Sequence, residues 1–289
     1  YPSDQLGLSS RLTPWPTGRA LAEEIPRRPD TAMIVDLHTH TAERSPCSLT
    51  CEDAMIQSAI DHGLGAMAIT DHHKLVPPER LAALNETYAP FKIYGGIELY
   101  VRDAITGRNE DIVVLGVADP TIERRDWDYP DLVRLIRDND GFFWLAHPYR
   151  YGAAVALDID AHPPDAIEIH SSNIGADDEP LIRNTIARLG VRAIQASDAH
   201  HESLVGIYAI QTDRVLDTEG DLLAMLRDGD YRPHADAARI ATYNADISQN
   251  EAVIRQMIAQ GRDGDHFVAA TGQWVGRYNR VALGKSYAI

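Results

Sequence analysis

Histidines and carboxylates follow the apolar runs of this sequence at the positions where strands would end. The stretch VDLHTHT, residues 35–41, closes one such run with His38 and His40, separated by a single threonine. Alternate residues of a strand point to the same side, so we expect both imidazoles to project together while Thr39 faces away. Two imidazoles held side by side form half of the inner shell that zinc and similar metals prefer. Later runs end in the same way with Asp71, His72, His147, Asp198 and His200, while Glu98 lies within the third run.

These residue types are suited to hydrolysis assisted by metal ions. A carboxylate such as Glu98 can bridge two cations at the separation of about 3.5–4 Å typical of two-metal sites. A water that bridges two such cations loses its proton near neutral pH and becomes a nucleophile without a separate strong base. Asp71, in the stretch TDHH, is expected to orient a neighbouring imidazole rather than to bind a metal itself.

Seven apolar runs of strand length must position these residues. Their lengths of about five to eight residues suit strands buried on both faces, and segments with helical spacing lie between several of them. This alternation predicts a parallel sheet, and seven strands favour a closed or nearly closed barrel. In such a barrel the carboxyl ends of the strands share one rim, where five strands would deliver their ligands to one place. The runs are AMIVDLH, GAMAITD, FKIYGGIELYV, DIVVLGV, FFWLAHP, AIEIH and RAIQASD.

The chain divides into three predicted parts. Residues 1–32 are punctuated by proline and aperiodic, which predicts an arm on the surface of the next part. Residues 33–235 contain all seven runs and form the predicted barrel. Residues 236–289 are predicted to pack on the barrel, as a helix at residues 250–264 followed by a mixed tail with a last strand or two. We find no chemistry in the sequence of that tail.

The bulk composition excludes several classes of protein. Lys and Arg total 27 against 43 Asp and Glu, and the resulting formal charge of −16 excludes non-specific binding of nucleic acid or anionic membranes through a basic field. Cys47 and Cys51 indicate neither a disulfide scaffold nor a structural zinc site, so a reduced, cytoplasmic setting is expected. No apolar run has the roughly 18 residues that a membrane helix needs. The first residues lack the apolar centre of a signal peptide.

The motifs DLHTHT, AITDHH, GIE, LAHP and ASDAH together resemble those of the PHP (polymerase and histidinol phosphatase) metal-dependent phosphoesterases, relatives of the amidohydrolases. They occur in the family's order over residues 35–200, and the series is specific although each motif alone is weak. The resemblance implies an α/β fold, a distorted seven-stranded (β/α)7 TIM-like barrel, with two or three divalent ions of zinc, manganese or iron. It also implies seven metal ligands: His38, His40, His72, Glu98, His147, Asp198 and His200.

The sequence departs from the family pattern at two positions. After the His-x-His pair the family often has another His or Asp, whereas AERSPCS offers only Glu43, Ser45 and Cys47, and we interpret Cys47 as a buried, inert thiol. On the fourth strand the family often has a His, whereas this chain has DIVVLG, with Asp111 as the nearest ionisable group. We therefore expect two tightly held metals and a weak or empty third site.

Three residues are candidates for binding a substrate at the rim. Arg44 and Arg150 lie on rim loops where a guanidinium could form paired hydrogen bonds with phosphate oxygens. An ordinary solvated arginine, or one paired with the abundant carboxylates, explains each of them equally well. His170 ends the sixth strand, where it could touch the substrate or be a satisfied polar residue of the rim.

The expected activity is hydrolysis of a small phosphate ester, a monoester above all, by a metal-bridged hydroxide. Glu98 and Asp198 would serve the attacking water, and His200 would protonate the leaving group. The expected partner is a small phosphorylated molecule, which includes a small nucleotide, and the oligomeric state is open. Two alternatives remain at this point: a metal-dependent amide or deacetylation hydrolase, and a module without catalysis that its metals stabilise.

Overall fold

The computed structural model describes residues 32–103 and 107–289, so the predicted arm lies outside the described residues except for Ala32. A single sheet contains β1 (Met33–Asp36), β2 (Ala66–Ile69), β3 (Lys92–Arg102), β4 (Asn109–Leu115), β5 (Phe142–Ala146), β6 (Ala166–His170), β7 (Arg192–Gln195), β8 (Tyr208–Thr212) and β9 (Arg232–Ala235). The strand order across the sheet is β7-β6-β5-β4-β3-β2-β1-β8-β9. All seven runs predicted to be strands are therefore strands, and β8 and β9 were not predicted.

The strands β1 to β7 follow one another in chain order around a barrel that closes just beyond the strand ends. There the amide of His40 donates to the carbonyl of Ala199 at 2.9 Å, and the amide of Ala199 donates to the carbonyl of His38 at 3.3 Å. Thr39, between the two histidines, turns away and donates its hydroxyl to the carbonyl of Ala68 at 2.8 Å. The predicted α/β, nearly closed barrel is confirmed, with β8 and β9 extending the sheet antiparallel from β1.

The prediction of a parallel sheet is wrong for β4. This strand is antiparallel to both β3 and β5, whereas β1 to β3 and β5 to β7 pair in parallel. Only residues 103–108 separate β3 from β4. Parallel neighbours need a crossover of about a dozen residues or more, so a connection this short produces an antiparallel pair. As a consequence, the first residues of β4, rather than its last, lie at the rim that holds the histidines.

Helices connect most of the strands and form the end of the chain. The stretches at residues 51–63, 129–141, 179–190 and 219–230 form helices as predicted, but the tail forms helices where a last strand or two was predicted. No helix within the described ranges is long and apolar enough to span a membrane. The helices are α1 (Glu52–Asp61), α2 (Pro78–Thr87), α3 (Tyr129–Asp138), α4 (Glu179–Leu189), α5 (Glu219–Asp228), α6 (Ala237–Ala259), α7 (Gly264–Thr271) and α8 (Val275–Ala282).

Apolar side chains form separate clusters inside and outside the barrel. Inside, Val35, Val113, Trp144 and Ile194 come from different strands and pack with leucines of α5, which covers the amino-terminal end of the barrel. Outside, α3 and α4 pack against β3 to β7, while α1 and α2 pack against β2 and β3. The helices α6 to α8 share a further small cluster around Phe267. The carboxyl-terminal mouth of the barrel is the region left for polar side chains.

A buried carboxylate at the end of β1 ties the closing strands together. Asp36 accepts hydrogen bonds from the amides of His38, Ser197 and Gly206, at 3.3, 3.0 and 2.7 Å.

Replacing Asp36 by alanine would leave three amides without this acceptor inside the fold. Since each unpaired buried group costs about 1–3 kcal/mol, we expect Asp36→Ala to lower the free energy of unfolding by about 3 kcal/mol in urea titrations. Asp213→Ala, which removes an exposed carboxylate paired with Arg232, is the control and should change it by less than about 1 kcal/mol. Equal effects of the two substitutions would contradict this role.

Candidate metal centre

The seven predicted metal ligands meet at the carboxyl-terminal mouth of the barrel. They come from the segments after β1, β2, β5 and β7, and from the middle of β3. The seven residues form three overlapping sets of three. Within each set, one possible ligand atom from each residue lies within 4.8 Å of the other two. The sets are His38, His40 and Asp198; His38, Glu98 and His147; and His40, His72 and His200.

Glu98 lies at the middle of this cluster, with its two oxygens directed at different histidines. Its Oε1 lies 3.4 Å from Nε2 of His38 and 3.0 Å from Nε2 of His147. Its Oε2 lies 3.3 Å from Nε2 of His40 and 2.9 Å from Nδ1 of His72. A carboxylate placed in this way between imidazoles from three other strand ends is suited to bridge two cations.

Several buried atoms of the cluster have no hydrogen-bond partner among the described residues. They include Nε2 of His38, Nε2 of His40, Oε2 of Glu98 and Oδ1 of Asp198. An unpaired buried polar atom costs about 1–3 kcal/mol, so four at one place require a further partner. Nitrogen and carboxylate oxygen atoms are the ligands that zinc, manganese and iron accept, so this donor set fits divalent metal ions.

The carboxylates of the cluster are ionised before any cation binds. Burial raises the pKa of Glu98, but His72 and His38 outweigh it and hold that pKa well below the usual range. Burial likewise raises the pKa of Asp198, and the neighbouring His38 and His40 reverse the shift to well below the usual range. Both side chains lie almost fully out of contact with solvent. A cation that binds therefore displaces no proton from either carboxylate, but it displaces protons from His38 and His72, whose pKa values burial lowers but these carboxylates raise overall.

The second ring nitrogens of two histidines have oriented partners. Nδ1 of His38 donates to Glu168 at 3.0 Å, and the other oxygen of Glu168 accepts the amide of His147 at 2.9 Å. Nδ1 of His40 is 3.3 Å from the hydroxyl of Ser45, which donates to Asp71 at 2.7 Å. Asp71 thus reaches an imidazole through Ser45 rather than directly. Such partners set the tautomer so that the remaining nitrogen is free for a metal.

Asp111 lies beside the second ring nitrogen of His147, which has no hydrogen bond among the described residues. Its Oδ2 lies 3.5 Å from Nδ1 of His147 and accepts the hydroxyl of Tyr151 at 2.8 Å. Burial raises the pKa of Asp111 to about 6, although the nearby His147 opposes that shift. Asp111 reaches the mouth because β4 is antiparallel, which brings its first residues to the rim.

Two ligand-bearing positions have unusual backbone conformations. His147 has a φ of 25° and Asp198 a φ of 51°, in a region that L-residues other than glycine rarely adopt. Such conformations cost of the order of 1–3 kcal/mol and persist only where the surroundings determine them. Here the amide of His147 is held by Glu168, and Oδ2 of Asp198 accepts the side-chain amide of Asn173 at 2.6 Å. Strain of this kind is typical of functional sites.

The two departures from the family pattern have different outcomes. Val113 lies opposite Glu98 on β4 and packs in the apolar interior with Trp144, so β4 contributes no imidazole at this level. Cys47 is exposed rather than buried, and the expectation of a buried, inert thiol is wrong. Partial enclosure of the sulfur by neighbouring atoms raises the pKa of the Cys47 thiol, but hydrogen bonds with His200 and His72 outweigh this effect and lower the pKa to about 6. The thiol is thus poised as a thiolate at the edge of the cluster.

A cavity of about 350 Å³ opens directly over the cluster. Asp198, His72 and His200 line its floor, and Arg150 lies on its wall. A further wall comes from the carboxyl-terminal part of the chain, through Tyr243, Trp274 and Arg277. A larger cavity of about 680 Å³ lies at the opposite end of the barrel and is lined by none of the predicted ligands.

The three predicted substrate-binding residues differ in their surroundings. Arg150 faces the cavity, with Nη1 3.5 Å from Nε2 of His147. Arg44 instead donates to Asp71 at 2.8 Å and to Glu52 at 2.8 Å, and it does not line the cavity. The ring of His170 stacks on that of Tyr208, with centroids 5.3 Å apart, also away from the cavity lining. Arg150 therefore has the strongest case of the three, and the roles of Arg44 and His170 stay predictions.

Sequence reasoning missed several residues of this region. Glu168 could have been noticed, because a carboxylate in the middle of the apolar run AIEIH needs a buried partner. Asp36 had the same signal at the end of the first run. Tyr243, Trp274 and Arg277 carried none, because only the packing of α6 to α8 against the mouth brings them to the cavity.

Comparison with known proteins agrees with this geometry. A sequence model described as PHP domain matches residues 36–254. No curated protein matches the chain. PsfC from Pseudomonas syringae has a similar structure, with 16% identity, a TM-score of 0.53 and coverage of 72% of this chain and 93% of that one.

Two further solved structures are similar. One is a two-domain protein from Bacteroides vulgatus, described as containing a predicted PHP-like metal-dependent phosphoesterase, with 14% identity, a TM-score of 0.52 and coverage of 75% of this chain and 69% of that one. The other is the lesion-specific endonuclease PfuEndoQ from Pyrococcus furiosus, with 14% identity, a TM-score of 0.51 and coverage of 70% and 58%. At these identities the likeness shows a shared fold.

Proposed function

This chain belongs to the PHP domain family, and we propose that it is a metal-dependent hydrolase that cleaves a small phosphate monoester. One observation carries the proposal, and it has two features. Unpaired atoms that could bind metal ions converge at the floor of a cavity. The wall of the same cavity holds the guanidinium of Arg150, which has no carboxylate partner among the described residues. The first feature calls for cations, and the second calls for an anionic substrate group beside them. A phosphate monoester satisfies both.

Arg150 is the cationic feature of the cavity wall. Its Nε is buried without a hydrogen-bond partner within the described ranges, and none of the ion pairs found there includes Arg150. Its guanidinium carbon stacks 4.3 Å above the ring of Trp274, which holds the planar group in place. A planar guanidinium with free donors matches the paired oxygens of a phosphoryl group.

The size and charge of the protein favour a small substrate. A cavity of about 350 Å³ holds a small molecule, while the net charge of −16 repels a long polyanion. One structural neighbour is an endonuclease, and a small nucleotide is compatible with this cavity as well. The proposal therefore concerns a phosphorylated metabolite or nucleotide rather than a nucleic-acid duplex.

The ligand roles follow from the three overlapping sets of donor atoms. We assign one metal to His38, His40 and Asp198, and a second to Glu98 and His147, because Nδ1 of His38 donates to Glu168 and leaves one ring nitrogen for one cation. His72 and His200 are suited to a third. Bound divalent cations, of zinc, manganese or iron, would make a water nucleophilic and neutralise charge on the phosphoryl oxygens.

The chain's own side chains would carry out the remaining steps. Arg150 would bind and orient the phosphoryl oxygens. Asp198, whose Oδ2 is held by Asn173, would accept the proton of the attacking water. His200 would protonate the leaving oxygen when no cation occupies the third site. Asp198 and His200 both line the cavity, within reach of a bound substrate.

We expect Arg150→Met to lower kcat/KM for phosphate esters about 30-fold, because charge-assisted hydrogen bonds contribute about 1.5–3 kcal/mol. Hydrolysis would be measured with metal-loaded protein over sugar, nucleotide, amino-alcohol and histidinol phosphates, together with a set of acyl amides. Arg124→Met is a matched control, since Arg124 also stacks 4.3 Å from a tryptophan but is exposed and does not line the cavity. Its kcat/KM should change less than about twofold.

Other outcomes would replace the proposal. Faster hydrolysis of acyl amides than of any phosphate ester would identify an amide or deacetylation hydrolase, which can use the same metal ligands. A metal-replete protein without turnover on either class would identify a module that its metals stabilise. An effect of Arg150→Met no larger than that of Arg124→Met would remove the argument for an anionic substrate.

A further inference from the structure

The carboxyl-terminal helices contribute one wall of the cavity above the metal centre. Tyr243 comes from α6, Trp274 directly precedes α8, and Arg277 lies in the first turn of α8. The adjoining wall comes from the barrel, through Arg150 and residues 172–173. The tail, whose sequence carries no sign of chemistry, therefore encloses the space that a substrate would occupy.

Specific contacts hold these helices in place against the barrel. Arg280 donates to the buried carboxylate of Asp178 at 2.6 Å, at the loop that follows β6. The amide of Ala176 in the same loop donates to the carbonyl of Ala288 at 2.9 Å. On the cavity side, Trp274 packs against the guanidinium of Arg150. The wall that carries Arg277 is thus fixed by contacts with the loop after β6 and with Arg150.

Arg277 has polar contacts, but none of them is with a carboxylate. Its Nη1 donates to Oε1 of Gln273 at 3.2 Å, and its Nη2 lies 3.5 Å from the hydroxyl of Tyr243. No ion pair of Arg277 is found among the described residues, although the chain has 16 more acidic than basic residues. By contrast, Arg255 and Arg280 on the same helices pair with Glu251 and Asp178. A half-buried guanidinium that lines a cavity without a carboxylate is suited to an anionic ligand.

Arg277 and Arg150 are neighbours along the cavity wall but have different surroundings, and Trp274, three residues before Arg277, stacks on Arg150. Arg150 lies beside His147, a predicted metal ligand, whereas the neighbours of Arg277 are Gln273, Tyr243 and Tyr287 of the tail. A phosphoryl group at the metals would be bound by Arg150. Arg277 would then face the part of the substrate that projects away from the metals.

We propose that Arg277 and Tyr243 form a second anion-binding subsite, which selects phosphate monoesters whose leaving group carries a further acidic group, such as a carboxylate or a second phosphate. The proposal rests on the proposed function, because it takes the scissile phosphate to lie at the metal centre. In this subsite Arg277 supplies the charge, and the Tyr243 hydroxyl can donate to the same group. The acidic group would also replace solvent at the guanidinium.

Binding of phosphonates that cannot be hydrolysed tests the subsite without turnover. The metal-loaded full chain would be titrated in a calorimeter with 3-phosphonopropionate and 5-phosphonopentanoate, each compared with the alkylphosphonate of the same chain length. We expect at least one carboxylate compound to bind about tenfold more tightly than its alkyl counterpart. Arg277→Met should abolish that preference and leave alkylphosphonate binding within about twofold, and Arg277→Lys should restore part of it.

The matched control is Arg255→Met, which removes a paired arginine from α6 outside the cavity and should keep the full preference. Thermal unfolding of each variant would verify that the helices remain folded. The subsite is overturned if wild type shows no preference in either pair, or if Arg277→Met retains it. A different result separates the two proposals. If the wild-type protein hydrolyses no phosphate ester, but Arg277→Met still loses the preference for the carboxylate compound, the subsite is supported and the proposed function is refuted.

Discussion

Glu98→Gln should lower turnover about 1,000-fold and reduce the metal content of the purified protein. Its two carboxylate oxygens lie within 3.4 Å of nitrogens of four histidines, whereas Asp198 also reaches four histidines but at distances of up to 3.6 Å. Glutamine keeps the size of the side chain but loses its charge and one acceptor oxygen. A loss of several kcal/mol of charge stabilisation corresponds to about three orders of magnitude in rate.

The same experiment includes His38→Ala, which removes an atom common to two of the three ligand sets. Metal content would be measured by elemental analysis and turnover by phosphate release. Glu123→Gln is the control, because Glu123 pairs with Lys74 on the surface and belongs to none of the ligand sets. If Glu98→Gln and His38→Ala both retained full activity and metal content, the assignment of the site would be wrong.

Glu168→Gln should weaken metal binding about 100-fold, without removing a ligand. Glu168 accepts from Nδ1 of His38 with one oxygen and from the amide of His147 with the other. A glutamine can satisfy only one of these donors, because its amide group would face the other. His38 would then lose its orientation, or His147 would lose the contact that supports its unusual φ.

The dependence of activity on metal concentration distinguishes this role from direct ligation. We expect excess metal to restore most of the activity of Glu168→Gln but little of that of Glu98→Gln. Competition with a chelator of known affinity would give the metal affinities of both variants. Unchanged affinity in Glu168→Gln would show that the ring of His38 is oriented by its other contacts.

The part of the site that lies at strand ends could be predicted from the sequence. His38 and His40 follow an apolar run with a spacing of two, and the strand period alone places both imidazoles on one side. The later motifs end other runs in the same way, and the common rim of a barrel brings such ends together. These inferences needed only local periodicity, which the sequence contains directly.

Long-range partners could not be predicted in the same way. Glu168 and His38 are 130 positions apart, and their hydrogen bond depends on the closure of the barrel, which leaves only β7 between β6 and β1. The direction of β4 decides that Asp111 rather than a later residue approaches His147. Arg44 and Arg150 looked equivalent in sequence. Tertiary contacts give Arg44 two carboxylate partners, whereas Arg150 has none among the described residues.

The sequence by itself determined the seven barrel strands and the imidazoles and carboxylates that end them, because strand formation and side-chain direction depend on neighbouring residues. The tertiary structure alone decided which charges are neutralised and which face the cavity. It also decided that helices α6 to α8 bring Tyr243, Trp274 and Arg277 to the mouth of the barrel. The physical reason is that counter-charge, burial and enclosure depend on distances in space between residues far apart in the chain, and no local pattern encodes those distances.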